Sequence, residues 1–133
     1  MAKRVLVIDD DADFLETTRL TIESAGYAVD TAPTGSEGLE QVKERRPDLI
    51  VLDVMMPGMD GWEVCEALKE DDQTAGIPVI MLTAVASQVR STTYTHGPGK
   101  ATDAEDYIPK PVEPAYLVTR IEKLLGRSGG SGG

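Results

Sequence analysis

Arg4-Val5-Leu6-Val7-Ile8-Asp9-Asp10-Asp11, RVLVIDDD, sets an unbroken aliphatic run directly against three carboxylates. Alternating polar and apolar residues would mark a strand wet on one face. A continuous run marks a strand buried on both, as in a parallel sheet covered by helices. Just beyond the acids, Phe14, Leu15, Thr18, Ile22 and Ala25 recur at helical spacing within an arc of about 100°, and Gly26 supplies a stop. The stretch therefore reads as a buried strand, an acidic turn and an amphipathic helix.

The pattern recurs along the chain. A weaker strand over Ala28–Ala32 precedes a helix opened by Thr34 and Glu37 at capping-box spacing, with Leu39 and Val42 facing inward and Pro47 closing it. Leu49-Ile50-Val51-Leu52 is a second buried run and ends in Asp53. Asp60 and Glu63 then cap a helix through Val64 and Leu68. Pro78-Val79-Ile80-Met81-Leu82 ends at Thr83, and Tyr107-Ile108 gives a short last strand before Lys110. A closing helix opens near Pro114 and carries Leu117, Val118, Ile121, Leu124 and Leu125 as its stripe. Strands alternating with helices predict an α/β fold with a parallel sheet covered on both faces and right-handed crossovers.

In such a sheet, ligands bind beyond the carboxyl ends of the strands. Asp9, Asp10, Asp53 and Thr83 all stand at those ends, with Lys110 after the fifth strand. Crowded carboxylates disfavour each other's ionised form, and a divalent cation relieves the crowding. Hard oxygen donors with room for water and phosphate oxygens suit Mg²⁺. The ion would screen a carboxylate nucleophile from an anionic phosphoryl group, while Lys110 adds a point charge and the Thr83 hydroxyl a hydrogen bond. Acids at strand ends also cap helices, and Asp11 and Asp60 are placed to do that.

A chain of 133 residues holds one domain with one sizeable core. Its formal net charge of −10, with no basic run, argues against a nucleic-acid partner. The lone Cys65 forms no internal disulfide and no apolar run reaches membrane-spanning length, so a cytoplasmic protein with no membrane partner is expected. The expected domain covers residues 1–125. Residues 126–133, GRSGGSGG, read as a flexible Gly/Ser tail of the kind left at a fusion joint.

Between Thr83 and Tyr107 a helix is due, yet the apolar spacing fades after Val85, Ala86 and Val89. The stretch TYTHGPGKAT, residues 93–102, superficially resembles a phosphate-binding loop, but Ala101 follows Lys100 where a hydroxyl is needed and Tyr94 replaces the first glycine. His96 reads as an exposed loop residue. Trp62 is expected to pack partially on its helix, Met55, Met56 and Met59 to pack within their loop, and Cys65 to be half-buried.

The motifs VLVIDDD, LIVLDVMMPGMDG, VIMLTA and YIPKP, in that order at strand ends, resemble the receiver domain of two-component response regulators, and the resemblance runs from Lys3 to about Leu125. Stand-alone chemotaxis-type receivers are the nearest pattern. The resemblance implies a flavodoxin-like, doubly wound five-stranded sheet in the order 2-1-3-4-5. The departure at residues 83–107 implies an irregular or shortened fourth helix, with a mobile loop in its place. The resemblance further implies that Asp53 accepts a phosphoryl group from a histidine kinase or phosphotransfer protein, and that Asp9, Asp10, Asp53 and the Met55 backbone carbonyl hold Mg²⁺. Lys110 would pair with the phosphate, and Thr83 and Tyr107 would form the switch. Such a protein is a phosphoacceptor with self-catalysed transfer and dephosphorylation, passing its signal to an unknown downstream protein as a monomer or phosphorylation-dependent dimer. Two alternatives remain open. One is a haloacid-dehalogenase-like phosphatase with Asp9 as nucleophile and Asp11 as acid/base; the other is an interaction module of the same fold that is never phosphorylated.

Overall fold

The computed structural model describes residues 3–56, 58–83 and 104–126. Within them run β1 (Arg4–Ile8), α1 (Ala12–Ser24), β2 (Ala28–Ala32), α2 (Gly35–Glu44), β3 (Leu49–Asp53), α3 (Gly61–Glu70), β4 (Val79–Thr83), β5 (Asp106–Pro109) and a final helix, α4 (Pro114–Leu125). The strands form one parallel sheet in the order β2-β1-β3-β4-β5. The alternating architecture and the strand order both match the sequence-based expectation. The expected irregular fourth helix, His96 and TYTHGPGKAT lie outside the described residues, as does the tail beyond Gly126.

Burial explains the continuous strand patterns. β3 and β4 are buried at every position, and β1 at all but Arg4. Alternate residues feed opposite layers. Leu6, Ile8, Ile50, Leu52, Val79 and Met81 pack with Val42 of α2 and Val64, Cys65 and Leu68 of α3. Val5, Val7, Leu49, Val51, Ile80 and Leu82 pack on the other face with Leu15 and Ile22 of α1 and Leu117 and Ile121 of α4. Cys65 is 1% exposed, more deeply buried than its helix pattern suggests, because α3 lies flush on the sheet.

Local chemistry fixes the helix starts. Asp11 caps α1 by accepting from the Asp13 and Phe14 N–H groups, and Thr34 caps α2 through the Glu37 N–H. Asp60 and Glu63 form a reciprocal capping box on α3. Pro114 opens α4, where its missing N–H costs nothing, and Gly126 ends it in the left-handed region. Pro109 falls on β5, the sheet edge, where a proline can be tolerated.

At the far end of the sheet, the Lys69 ammonium is held by the carbonyls of Ala75 and Ile77 and by both oxygens of Glu105. Glu105 in turn accepts the Val79 N–H at 2.7 Å and donates its own N–H to the Val79 carbonyl. The clamp ties the end of α3 to the starts of β4 and β5.

Candidate functional site

β1 and β3 are neighbours, with Ile8 opposite Leu52, so the residues that follow, Asp9 and Asp53, emerge side by side at the carboxyl edge of the sheet. Both side chains are buried, at 0% and 1% exposure, whereas Asp10 is exposed. One carboxylate oxygen from each of Asp9, Asp10 and Asp53 lies within 4.8 Å of the other two. The Lys110 ammonium reaches into the same pocket, 3.1 Å from Asp53 Oδ1 and 3.4 Å from Asp9 Oδ2. Its backbone N–H donates to the Thr83 carbonyl at 2.9 Å, so one residue is fastened to the site at both ends.

Backbone donors orient the two buried acids. Asp9 Oδ1 accepts the Asp11 N–H at 2.9 Å, and Asp53 Oδ1 accepts the Met55 N–H at 3.2 Å. The turn after Asp53 closes where the Gly61 N–H donates to the Val54 carbonyl. At Gly61 a Cβ would overlap the Asp53 carbonyl and lie 2.7 Å from Val54 Cα, so only glycine lets α3 start against the end of β3. Gly58, at φ +80°, bends the same loop back.

Burial, and then the adjacent Asp9 charge, push the Asp53 carboxyl up to about 6, against the pull of Lys110 and the Met55 N–H. Asp9 is raised as well, chiefly by burial, while the Asp11 N–H and Lys110 oppose the rise. For Lys110 burial acts downward, but the Asp9 and Asp53 charges outweigh it and hold the proton more firmly than usual. The site thus carries more negative charge than its protein donors neutralise. Three carboxylate oxygens so grouped, two of them from buried side chains, fit Mg²⁺.

Thr83 ends β4 and is 8% exposed. Tyr107 pairs with Met81, two residues before Thr83, which puts Thr83 and Tyr107 on the same face of the sheet. Tyr107 is 40% exposed, and its ring centroid lies 6.3 Å from that of Trp62, tilted by 34°. Trp62 packs partly on the core, as expected for its place on α3. Of the loop methionines, Met56 is buried and Met59 packs on the core, whereas the Met55 side chain is 56% exposed.

The structure therefore brings together Asp9, Asp10, Asp53 and Lys110, and places Thr83 and Tyr107 on adjacent strands beside them. Asp11, the acid/base of the phosphatase alternative, is exposed and caps α1 through its Oδ1. One neighbour of the site escaped the sequence reading: Phe14, counted there only toward the apolar stripe of α1, lies with its ring centroid 5.5 Å from the Lys110 ammonium. Its place in the first turn after the acidic triplet was the available signal.

The chain matches the family model of the response regulator receiver domain over residues 5–122. It is 38% identical to the DNA-binding response regulator MtrA of Mycolicibacterium paratuberculosis, over 96% of this chain and 53% of that protein. It is 40% identical to the transcriptional regulatory protein CseB of Streptomyces coelicolor, over 97% of this chain and 52% of that one. Among solved structures, a CheY-like response regulator receiver domain protein from Methanospirillum hungatei superposes with a TM-score of 0.80 at 32% identity, covering 99% of this chain and all of that one. The chain thus spans about half the length of the curated relatives it matches.

Those relatives correct one expectation. The acidic composition argued against nucleic acid, yet MtrA is by name a DNA-binding response regulator. Net charge describes only the segment over which it is counted, and a DNA contact elsewhere in a longer polypeptide leaves no mark on it. The expectation that no membrane is involved has a narrower footing: among the described residues no helix is long and apolar enough to cross one. With the acidic pocket, the strand order and the matched motifs in agreement, the chain belongs to the response regulator receiver domain family.

Proposed function

We propose that residues 1–125 form a phosphorylation-dependent signalling switch in which Asp53 accepts a phosphoryl group from the phosphohistidine of a histidine kinase or phosphotransfer protein. The observation that carries this reading is the buried Asp53 carboxylate, within 4.8 Å of Asp9 and Asp10 oxygens and 3.1 Å from the Lys110 ammonium. Asp9, Asp10, Asp53 and the Met55 backbone carbonyl would hold Mg²⁺. When bound, the ion supplies positive charge that screens the carboxylates from an incoming anion.

The chain's own residues do the rest. Asp53 Oδ attacks phosphorus, the bond from phosphorus to the donor imidazole nitrogen breaks, and the imidazole leaves with the electron pair. The Met55 N–H fixes the carboxylate's orientation before attack. Lys110, already paired with Asp53, shifts its charge toward the new phosphoryl oxygens. Thr83 donates its hydroxyl to one of them, and Tyr107 turns toward the space this opens. A new dianion biases the surface only because these contacts differ between the two states.

The names of MtrA and CseB support an output on transcription, with the switch controlling DNA binding in a longer polypeptide. A cytoplasmic setting is consistent with the single, buried thiol of Cys65. The test is incubation with Mg²⁺ and acetyl phosphate followed by intact mass. The wild type gains one phosphoryl group and Asp53→Asn gains none; an unmodified wild type, where a control receiver is modified, overturns the reading.

A further inference from the structure

On its way to Asp53 the partly exposed Lys110 side chain helps to line an open cleft of ≈390 Å³, together with Asp11, Phe14, Pro111 and Val112. Phe14 and Val112 also pack on the core beneath α1 and α4, so this wall is anchored rather than loose. The ammonium then has two kinds of partner. The Asp53 and Asp9 oxygens lie 3.1 and 3.4 Å from Nζ, and the Phe14 ring centroid lies 5.5 Å from it. That distance is within the range over which a ring quadrupole attracts a cation.

A lysine ammonium is a compact charge on a flexible stem, and with 31% of the side chain exposed it has room to swing toward water. Its two carboxylate partners would hold it before phosphorylation. Once Asp53 becomes an acyl phosphate, its Oδ1 carries less charge and the oxygens to be met lie farther out. The Phe14 ring, like the Asp9 carboxylate, is left covalently unaltered by the reaction, and the ring is the one of the two that does not compete with phosphoryl oxygens for the ammonium's hydrogen bonds.

We propose that Phe14 is a positioning residue for phosphoryl transfer: its ring seats the Lys110 ammonium by a cation–π contact, so that the charge is already in place when phosphoryl oxygens arrive. The proposal rests on the assignment of Asp53 as phosphoacceptor. It separates Phe14 from the remainder of the α1 stripe, whose function is packing alone, and it acts within the protein rather than through a docked donor.

The test compares wild type, Phe14→Leu and Phe14→Trp with acetyl phosphate at saturating Mg²⁺, because a small donor needs no protein docking surface. Leucine keeps apolar bulk but loses the ring; tryptophan keeps a ring of greater quadrupole. The expected result is a maximal phosphorylation rate lower by roughly two- to fivefold in Phe14→Leu, with donor KM unchanged and Phe14→Trp at or above wild type. In ¹³C-lysine spectra, ring current holds the Lys110 Cε protons upfield in wild type and Phe14→Trp, and Phe14→Leu releases them. Equal rates in all three proteins, or an equal fall in both variants, overturns the proposal. So does a defect seen only with a protein donor. If the wild type takes up no phosphoryl group, the assignment of Asp53 fails, and the Cε shift alone decides whether Phe14 seats Lys110.

Discussion

Gly61 lies so close to Asp53 that a Cβ on it would overlap the Asp53 carbonyl. Gly61→Ala must therefore push the start of α3 away from β3 or distort the turn between them. Overpacking of this kind typically costs about 1–3 kcal/mol. Urea denaturation is expected to show a lower midpoint with an unchanged slope, together with slower phosphorylation of Asp53. An unaltered midpoint means that the loop relaxes freely.

The raised carboxyl of Asp53 gives metal-free stability a definite pH dependence. The folded value, about 6, exceeds the unfolded value of 3.8, so the folded state binds the proton more tightly. This contribution is fully present below about pH 4 and is lost as pH rises through about 6, a change of roughly 3 kcal/mol. Asp53→Asn, neutral at every pH, should flatten this slope and be the more stable protein at pH 7.5. Urea midpoints between pH 4 and 8 in the presence of EDTA measure it, and a parallel fall in both proteins contradicts the assignment.

Mg²⁺ should offset part of that loss. A cation that binds only the folded site, at ten times its dissociation constant, adds about 1.4 kcal/mol. Thermal melts at pH 7.5 with and without Mg²⁺ are expected to differ in wild type and to differ less in Asp53→Asn and Asp9→Asn.

Removing Lys110 tests the charge balance from the other side. Lys110→Met withdraws the ammonium from both Asp9 and Asp53, so both carboxyls should titrate higher than in wild type. Carboxyl ¹³C titration without metal reads this directly. An Asp53 titration that stays where it was shows that Lys110 contributes little to the field.

At the opposite end of the sheet, Lys69→Met leaves the Ala75 and Ile77 carbonyls without that donor and unpairs Glu105. A cost of about 1–3 kcal/mol is expected, together with faster hydrogen exchange at the Val79 amide, which Glu105 would then hold less firmly. This variant should still be phosphorylated on Asp53, since the clamp lies at the other end of β4.

The strands and their acidic ends were legible because a strand buried on both faces must be apolar throughout, which makes the first polar residue beyond it conspicuous. Asp9, Asp53 and Thr83 announce themselves in this way, whereas Lys110 follows a short, largely exposed edge strand and was legible only by its place after it. Phe14, Gly61 and Lys69 do not, for their roles depend on approaches between elements. A ring over an ammonium, an absent Cβ beneath a carbonyl and a lysine reaching 36 residues along the chain to Glu105 leave no periodic trace. The burial of Cys65 was underestimated for the same reason: helical spacing gives the direction of a side chain but not the closeness of the sheet.

Pro109 has a consequence for how copies of the molecule can meet. The Lys110 N–H points inward to Thr83, so the alternation of the strand turns the amide positions of Pro109 and Tyr107 outward. Proline has no hydrogen to offer there, and the Tyr107 N–H is already taken by Asp106 Oδ1 at 2.9 Å. At these two positions the outer border of β5 presents acceptors but no available donors, so a sixth strand finds only half a ladder. Contacts made on this side must be written in side chains, which a change of charge can rewrite, rather than in backbone pairing, which it cannot.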